Sequence, residues 1–190
     1  MPTKLAVFAS GTGSNFVAIA DAIANDQLDA QIEVLVVDKI SAPVVQRAVE
    51  RNIPVFHLKY KDFATKELAE AALVTELQKY AVELIALAGF MRIITGTLLA
   101  AYPNKIINIH PSLLPAFPGR HGIDDALAAQ VSQTGVTIHY VDSGIDSGTI
   151  IAQQAVTIEP TDTITTLATK IHALEHVLYP TTLAQLIKHN

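Results

Sequence analysis

Short apolar runs alternate with longer amphipathic stretches over the first 110 residues of the chain. Continuous apolar runs are typical of buried strands, and apolar positions at helical spacing are typical of helices that cover them. The pattern predicts strands at residues 5–9, 32–37, 55–58, 84–88 and 106–109. Between the first four strands it predicts helices at residues 14–25, 43–51 and 65–80.

Buried strands that are separated by helices indicate βαβ units and a mostly parallel sheet with helices on both faces. The right-handed crossover rule then makes the first half a Rossmann-like α/β layer. In the helix at residues 65–80, the spacing predicts one buried face. That face carries Leu68, Ala72, Leu73, Leu77 and Tyr80.

The second half of the chain has a different pattern. Residues 111–122 are rich in proline and glycine, which predicts a loop, and a helix is expected at residues 123–131. Two further apolar runs, at residues 136–141 and 149–158, flank a turn at residues 142–148. This spacing predicts an antiparallel hairpin.

The last segment is expected to be helical from residue 162 to residue 178. Pro180 should break or kink this helix, and residues 181–188 continue it. No composition shift marks a linker anywhere, so residues 1–190 are interpreted as a single domain. The fold class predicted from the pattern is α/β, with a mostly parallel sheet and an antiparallel C-terminal hairpin.

Composition narrows the possible functions. The chain has 190 residues, half of them hydrophobic, and no cysteine, which excludes disulfides, cysteine-ligated metals and a thiol nucleophile. The net charge is −5 and no basic block is present, which argues against nucleic-acid binding. No apolar run approaches the ~20 residues of a membrane span. We therefore expect a cytoplasmic protein that binds neither membrane nor nucleic acid.

A glycine-rich turn, G-T-G-S-N at residues 11–15, lies between the first predicted strand and the first predicted helix. Backbone N–H groups at such a helix N-terminus suit a phosphate, and glycines allow close approach. Two other interpretations stay open. One is a dinucleotide site with Asp38 on the ribose, although Phe16 replaces the third glycine of that fingerprint. The other is a tight turn that binds nothing.

Polar residues at the end of the fifth strand provide candidate chemistry. Asn108 and His110 are two positions apart, so their side chains share one face of the strand. An amide and an imidazole at a strand's carboxyl end can stabilise a developing oxyanion and move a proton. The turn D-S-G-I-D-S-G adds the carboxylates of Asp142 and Asp146. Alternatively, His110 is a core histidine and the aspartates only satisfy turn backbone.

The remaining histidines give weaker signals. His139 is interpreted either as a support for the site or as a structural residue of its strand. His172 and His176 have a spacing that can bind metal, but they lack an H-E-x-x-H pattern, and no metal site is predicted. Met91 and Arg92 follow the fourth strand, in a position that faces ligands in parallel sheets.

Four segments occur in a familiar order over nearly the whole chain. They are F-A-S-G-T-G-S-N-F, L-A-G-F-M-R-I-I, I-I-N-I-H-P-S-L-L-P-A-F-P-G and H-Y-V-D-S-G-I-D-S-G. Together they resemble the phosphoribosylglycinamide formyltransferases, the folate-dependent enzymes of purine synthesis. The N-x-H-P-S-L-L-P element is shared by folate formyltransferases generally, and the G-x-G-S-N turn indicates the glycinamide ribonucleotide enzymes.

The resemblance implies a formyltransferase fold and a role for each segment. The catalytic residues would be Asn108, His110 and Asp146. The substrate, glycinamide ribonucleotide, would contact Gly11, Thr12, Gly13, Ser14, Asn15 and Glu175. The folate would contact Lys66, Met91, Arg92, Ile93, Ile94, Asn108, Val141 and Asp142.

The implied reaction transfers the formyl group of 10-formyltetrahydrofolate, a co-substrate, to the substrate's amine without a metal. The implied partners are these small molecules, and the enzyme would be a monomer or homodimer. Thr12 stands where relatives often have asparagine, which main-chain contacts would tolerate. Lys66 stands where arginine can also occur, and a point-charge contact would survive that change.

Three other functions remain open from the sequence. A related enzyme would formylate methionyl-tRNA or a sugar amine, although this chain lacks a basic surface. A hydrolase would release formate from the same folate. A nucleotide-binding regulatory module would bind a dinucleotide and would not depend on His110.

Overall fold

One seven-stranded sheet organises the computed structural model, which describes the backbone of residues 1–189 and the side chains of residues 1–188. The strands are β1 (Thr3–Ala9), β2 (Ala30–Val37), β3 (Val55–His57), β4 (Leu84–Leu87), β5 (Ile106–His110), β6 (Gln133–Tyr140) and β7 (Ile150–Thr157). The helices are α1 (Ser14–Ala24), α2 (Pro43–Val49), α3 (Lys66–Lys79), α4 (Gly96–Ala101), α5 (Gly122–Ala128) and α6 (Ile164–His189), with a short 3-10 helix at Tyr60–Asp62.

The strand order is β3-β2-β1-β4-β5-β6-β7. Neighbours from β3 to β5 pair in parallel, whereas β6 is antiparallel to both β5 and β7. The predicted α/β class, with a mostly parallel sheet and an antiparallel C-terminal hairpin, is confirmed. The alternating chain direction of the last strands also places β6 directly beside the strand that carries Asn108 and His110.

Alternating side chains of β1 show how both faces of the sheet are covered. Leu5 and Val7 belong to one buried cluster, which also contains residues of α1, α2 and α6. Ala6 and Phe8 belong to a second cluster with residues of α3 and α4. All four are fully buried. A strand covered on both faces reads as a continuous apolar run, which is why the sequence pattern located it.

Helices α4 and α3 differ from the expectation. Helix α4 was not predicted, because a helix of six residues is too short for its periodicity to be recognised. In α3 the predicted buried face is correct for Leu73 and Leu77, which are fully buried, and wrong for Leu68, which is 54% exposed. Glu70, which the pattern did not place on that face, is fully buried as well. The structure compensates this burial through hydrogen bonds that no hydrophobic pattern reveals.

The C-terminal helix α6 continues through Pro180, so the expected break is wrong. A proline inside a helix removes one backbone hydrogen bond and costs about 3 kcal/mol. Here Pro180 is itself buried, and Tyr179, Thr182 and Leu183 beside it are buried as well. Burial of this helical turn against the sheet offsets the lost bond.

Tyr179 also ties α6 to the centre of the sheet. Its buried hydroxyl lies 3.1 Å from the Leu87 carbonyl oxygen and 3.0 Å from the Ile107 carbonyl oxygen. Burial raises the pKa of this hydroxyl well above its ordinary value, so it remains a donor. The anchor lies just below the carboxyl ends of β4 and β5, which carry the segments with candidate chemistry.

Candidate active site

The turn after β1 is shaped by one glycine. Gly13 has φ of 78° and precedes α1 as its N-cap residue. A Cβ atom at this position would lie 2.3 Å from Val44 Cγ2, because α2 packs closely against the turn. The Val44 N–H donates to the Gly11 carbonyl oxygen at 3.2 Å and fixes the same approach. The turn is therefore rigid, with free N–H groups at the start of α1.

Asn108, His110 and Asp146 meet at the end of β5. Asp146 Oδ2 lies 3.4 Å from His110 Nδ1, and Asp146 Oδ1 lies 3.4 Å from Asn108 Nδ2. Both distances exceed those of ordinary hydrogen bonds. The donors of Asn108 and His110 therefore remain available to a ligand that enters between them.

The proline-rich loop holds the other side of the His110 ring. His110 Nε2 lies 2.8 Å from the Phe117 carbonyl oxygen, which can only accept a hydrogen bond. Ser112 Oγ donates to the Ala116 carbonyl oxygen at 2.6 Å and so fixes the same loop. The two ring nitrogens of His110 therefore face two oxygen atoms, the Phe117 carbonyl on one side and the Asp146 carboxylate on the other.

His139 is a residue of this site whose role the sequence left open. It lies opposite Asn108 in the β5–β6 register, and its Nε2 lies 3.2 Å from Asn108 Nδ2 and 3.6 Å from Asp146 Oδ1. Its Nδ1 lies 2.8 Å from the Tyr140 carbonyl oxygen. A neutral ring accepts from Asn108, whereas a protonated ring donates to Asp146. Only the antiparallel register of β6 against β5, which the sequence did not fix, would have indicated this position.

Asp146 is poised as a charged group. Burial raises the pKa of its carboxyl. Hydrogen bonds from His139 and from the Gly119 N–H, together with the nearby His110 ring, lower the pKa by more than burial raises it. The net pKa therefore lies below the ordinary aspartate value. The Gly119 N–H donates to Asp146 Oδ2 at 2.7 Å. Asp146 has φ of 51°, a left-handed conformation that aspartate adopts more readily than most residues.

Glu175 connects the glycine-rich turn at residues 11–15 to helix α6. Its Oε2 accepts from Asn15 Nδ2 at 3.0 Å and lies 3.0 Å from His172 Nδ1. The hydrogen bond to Glu175 raises the pKa of His172. Asn15 Oδ1 is buried and has no protein partner, so it offers an acceptor to a ligand in the turn. His176 does not join this group, and burial lowers its pKa.

The segment after β4, residues 91–94, forms another wall of the site. The Met91 N–H donates to Ser10 Oγ at 2.9 Å, which ties this segment to the end of β1. Arg92 Nε lies 2.7 Å from Asp38 Oδ2, and its guanidinium carbon lies 5.4 Å from the centre of the Tyr60 ring. Asp38 therefore holds an arginine, which argues against its assignment to a dinucleotide ribose.

A cavity of about 450 Å³ joins these groups at the carboxyl ends of β1, β4 and β5. Ligands bind at this edge of parallel sheets, where the strand order reverses. Every predicted site residue except Lys66 lines it: Gly11, Thr12, Gly13, Ser14, Asn15, Met91, Arg92, Ile93, Ile94, Asn108, His110, Val141, Asp142, Asp146 and Glu175. His139 and His172 line it too.

Lys66 lies in a second, shallower cavity of about 350 Å³. The two cavities share Met91, Arg92, Ile93 and Arg120, so they are neighbours. Lys66, Arg92 and Arg120 make the second cavity cationic, and Tyr60 and Phe63 give it an aromatic wall. Its chemistry suits a ligand that carries carboxylates.

Among the side chains of residues 1–188, no three or more histidine and acidic groups are clustered so that they could hold a metal ion. Over the same residues, no helix combines the length and the apolarity that crossing a membrane requires.

Comparison with known proteins places the chain in a family. The sequence profile of the formyl transferase family matches residues 3–183. Phosphoribosylglycinamide formyltransferase of Bacillus subtilis is 50% identical over 187 residues, which cover 98% of this chain and 96% of that protein. A crystal structure of phosphoribosylglycinamide formyltransferase from Bacillus halodurans superimposes with a TM-score of 0.95 at 50% identity, covering 97% of this chain and 95% of that one.

A more distant relative is the trifunctional purine biosynthetic protein adenosine-3 of Drosophila melanogaster. It is 40% identical over 186 residues, which are 97% of this chain but only 14% of that protein. Nearly the whole of this chain therefore matches nearly the whole of the Bacillus subtilis protein, and it matches one segment of the much longer Drosophila protein. This chain belongs to the formyl transferase family.

Proposed function

We propose that this protein transfers the formyl group of 10-formyltetrahydrofolate to the amine of glycinamide ribonucleotide, in purine biosynthesis. The names of its relatives support the reaction, and the family model covers residues 3–183. One observation carries the proposal: the Asn108, His110 and Asp146 cluster and the glycine-rich turn open into the same cavity.

The turn at residues 11–15 is the proposed site of the ribonucleotide phosphate. The start of α1 presents N–H groups there, and an anion is favoured at a helix N-terminus by its partial positive charge. Glu175 and the unpartnered Asn15 Oδ1 offer acceptors to the ribose hydroxyls or to the glycinamide N–H groups. These contacts would direct the substrate amine toward His110.

The proposed chemistry is acyl transfer through a tetrahedral intermediate. The amine nitrogen forms a bond to the formyl carbon, and negative charge develops on the formyl oxygen. Asn108 Nδ2 and His110 Nδ1 make only long contacts to Asp146, so a formyl oxygen placed between them can accept a hydrogen bond from each. Fixed donors in a site shielded from water stabilise such charge strongly.

The amine must also lose a proton before the intermediate collapses. Asp146 is charged at neutral pH because its pKa is lowered. Its charge first stabilises the His110 imidazolium, and the carboxylate then accepts the proton of the amine directly or through a water molecule. When the bond from the formyl carbon to the folate nitrogen breaks, that nitrogen takes up the proton that Asp146 received, and tetrahydrofolate leaves.

The wall formed by Met91, Arg92, Ile93 and Ile94 is the proposed folate site. Met91 and Ile93 are exposed apolar side chains, which suit a flat heterocycle. The main chain at Val141 and Asp142, across the cavity, offers hydrogen bonds to a pterin edge. The neighbouring cationic cavity with Lys66 suits the carboxylates of the folate tail.

A spectroscopic assay tests the proposal directly. With 10-formyltetrahydrofolate present, we expect tetrahydrofolate to form only after glycinamide ribonucleotide is added. The dephosphorylated nucleoside should be a poor substrate, because it does not occupy the turn. Tetrahydrofolate release at the same rate in water alone would instead establish a hydrolase, and release that depends on methionyl-tRNA would establish the tRNA enzyme.

We also propose that residues 1–190 form a single formyltransferase domain, active in the cytoplasm as a monomer or homodimer. All seven described strands share one sheet, and the lack of cysteine suits a reducing compartment. Light scattering after size-exclusion chromatography measures the mass. A mass above that of a dimer would contradict the proposed assembly.

A further inference from the structure

Glu70 is a buried carboxylate outside the cavity. It lies one turn into α3 and is 0% exposed. Burying a charged group is costly unless donors surround it. Glu70 Oε1 accepts from the Thr95 N–H at 2.8 Å, and Oε2 accepts from the Leu98 N–H at 3.1 Å and from the Thr95 hydroxyl. All three donors belong to the first turn of α4 or to the residue before it.

This arrangement replaces an ordinary helix cap. Thr95 is the N-cap residue of α4, and a threonine there usually accepts from a backbone N–H of its own helix. Here the Thr95 side chain makes no such bond and donates instead to Glu70. The Leu98 N–H, which would donate to the threonine hydroxyl in an ordinary cap, also donates to Glu70. The start of α4 is therefore held by α3.

The segment that Glu70 holds is the wall of the cavity. Residues 91–94 lie between two anchors, which are the Met91 N–H bound to Ser10 Oγ and the Thr95 contacts to Glu70. Ile94, next to the second anchor, is buried against the same cluster as Leu98. Its neighbour Ile93 remains 55% exposed and faces both cavities.

We propose that Glu70 is a positioning residue that fixes the 91–95 segment in the geometry required for the folate substrate. Because Glu70 touches neither cavity, it acts through Thr95. It therefore sets the KM for 10-formyltetrahydrofolate, and it does not set the KM for glycinamide ribonucleotide or kcat. This inference rests on the proposed function, since that function identifies the ligand of the segment.

Steady-state kinetics of Glu70→Gln test the inference. Glutamine keeps the shape but turns an NH2 group toward the N–H groups of Thr95 or Leu98. We expect the KM for 10-formyltetrahydrofolate to rise about tenfold, as the loss of hydrogen bonds to a buried charged group implies. The KM for glycinamide ribonucleotide and kcat should stay within about twofold of wild type.

A second pair of variants decides the question if Glu70→Gln does not fold. Thr95→Val removes the hydroxyl that donates to Glu70 and should raise the folate KM about threefold, since one of three bonds is lost. Thr95→Ser retains the hydroxyl and should restore the wild-type KM. Equal folate KM values for Thr95→Val and Thr95→Ser would contradict the inference.

Leu77→Val serves as the matched control. Leu77 lies on the same face of α3, two turns beyond Glu70, and is fully buried. Its truncation lowers stability, measured by urea unfolding, and should leave the folate KM unchanged. If Glu70→Gln changes stability and leaves the folate KM at the wild-type value, Glu70 is only structural. If wild type transfers no formyl group, the proposed function itself fails.

Discussion

At the residue scale, the long contacts that Asp146 makes to Asn108 and His110 are the clearest indication of its role. Its carboxylate is partly buried and sits 3.4 Å from both Asn108 Nδ2 and His110 Nδ1. Groups committed to holding a fold are usually satisfied at shorter distances. Long contacts in a cavity leave room for the formyl oxygen and the amine, and catalytic hydrogen bonds of this kind generally shorten when substrates bind.

Asp146→Asn tests this role. The amide lacks the negative charge, so it neither accepts the proton of the amine nor stabilises the His110 imidazolium. We expect kcat to fall about 10²-fold or more, with both KM values changed by less than roughly threefold. Steady-state kinetics with each substrate varied in turn separate the two effects.

Asp29→Asn provides the matched control for Asp146→Asn. Asp29 is an exposed aspartate before β2, far from the cavity, and undergoes the same chemical change. Its kcat should equal that of wild type. Near-normal turnover in Asp146→Asn would remove Asp146 from the mechanism.

His172 makes a pH-dependent contribution to stability. Its hydrogen bond to Glu175 raises its pKa in the folded state, so its stabilising effect is present below the unfolded pKa of about 6.5. The effect is lost as pH rises through the raised, folded-state pKa. His172→Gln keeps a side-chain donor without the charge. The loss in the free energy of unfolding caused by this change should be larger at pH 6 than at pH 9.

Urea unfolding of both proteins at the two pH values measures this difference. His172→Gln and wild type share all other titrating groups, so changes elsewhere cancel in the comparison. A loss that is equal at pH 6 and pH 9, or larger at pH 9, would contradict the assigned interaction between His172 and Glu175.

Sequence reasoning selected the candidate site residues that carry their own signal. Asn108 and His110 end an apolar strand, and Asp146 lies in a distinctive turn. His139 and Glu70 were harder, because their roles depend on which element packs beside them. An antiparallel register brings His139 opposite Asn108, and α4 brings donors to Glu70. Neither relationship is local in the sequence.

At the element scale, the packing of α2 against the glycine-rich turn predicts the effect of Gly13→Ala. The new Cβ would overlap Val44, and alanine disfavours φ of 78°. Strain and overpacking together should cost about 2–5 kcal/mol of unfolding free energy. Urea unfolding measures this cost.

Gly11→Ala is the control for Gly13→Ala, because a Cβ at Gly11 meets no atom within 4 Å. Its unfolding free energy should change by less than about 1 kcal/mol. Equal losses in the two variants would show that the close approach of α2 does not constrain the turn.

Tyr179→Phe tests the anchor between α6 and the sheet. The change leaves the Leu87 and Ile107 carbonyl oxygens without their buried donor while it keeps the ring. We expect a loss of about 1–3 kcal/mol in unfolding free energy with an unchanged denaturant slope. Tyr80→Phe, at a less buried tyrosine that ends α3, should change stability little. Equal losses of unfolding free energy in the two variants would show that the Tyr179 hydroxyl does not anchor α6 to the sheet.

Hydrophobic pattern predicted the buried strands and most helices, because both faces of this sheet are covered. It could not predict that α6 continues through Pro180, since the local cost of proline is offset by tertiary burial. It also missed α4, whose first turn is satisfied by Glu70 of another helix. Both failures concern helices whose stability comes from distant residues.

At the scale of the whole molecule, one cavity unites segments from Gly11 to Glu175, so its ligands should stabilise the entire fold. Glycinamide ribonucleotide at 100 times its Kd adds about 2.7 kcal/mol. For a chain of this size that should raise Tm by roughly 5–11 °C. Differential scanning calorimetry measures the shift.

The dephosphorylated nucleoside at the same concentration is the control for this thermal shift. It lacks the group that the turn at residues 11–15 is proposed to hold, so its shift should be clearly smaller. Equal shifts for the two compounds would argue that the turn contributes nothing to binding.

The hydrogen bond from Asn15 to Glu175 joins residues that are 160 positions apart. Contacts between residues so far apart in sequence close large loops. Because closing a large loop costs conformational entropy, such contacts form late in folding. During synthesis, all seven strands of the sheet emerge from the ribosome before α6 does. The nascent chain therefore completes the cavity only when its last helix docks, because α6 contributes His172 and Glu175 to the lining. If the proposed function holds, we expect a ribosome-stalled chain that ends before α6 to bind glycinamide ribonucleotide more weakly than the full chain does.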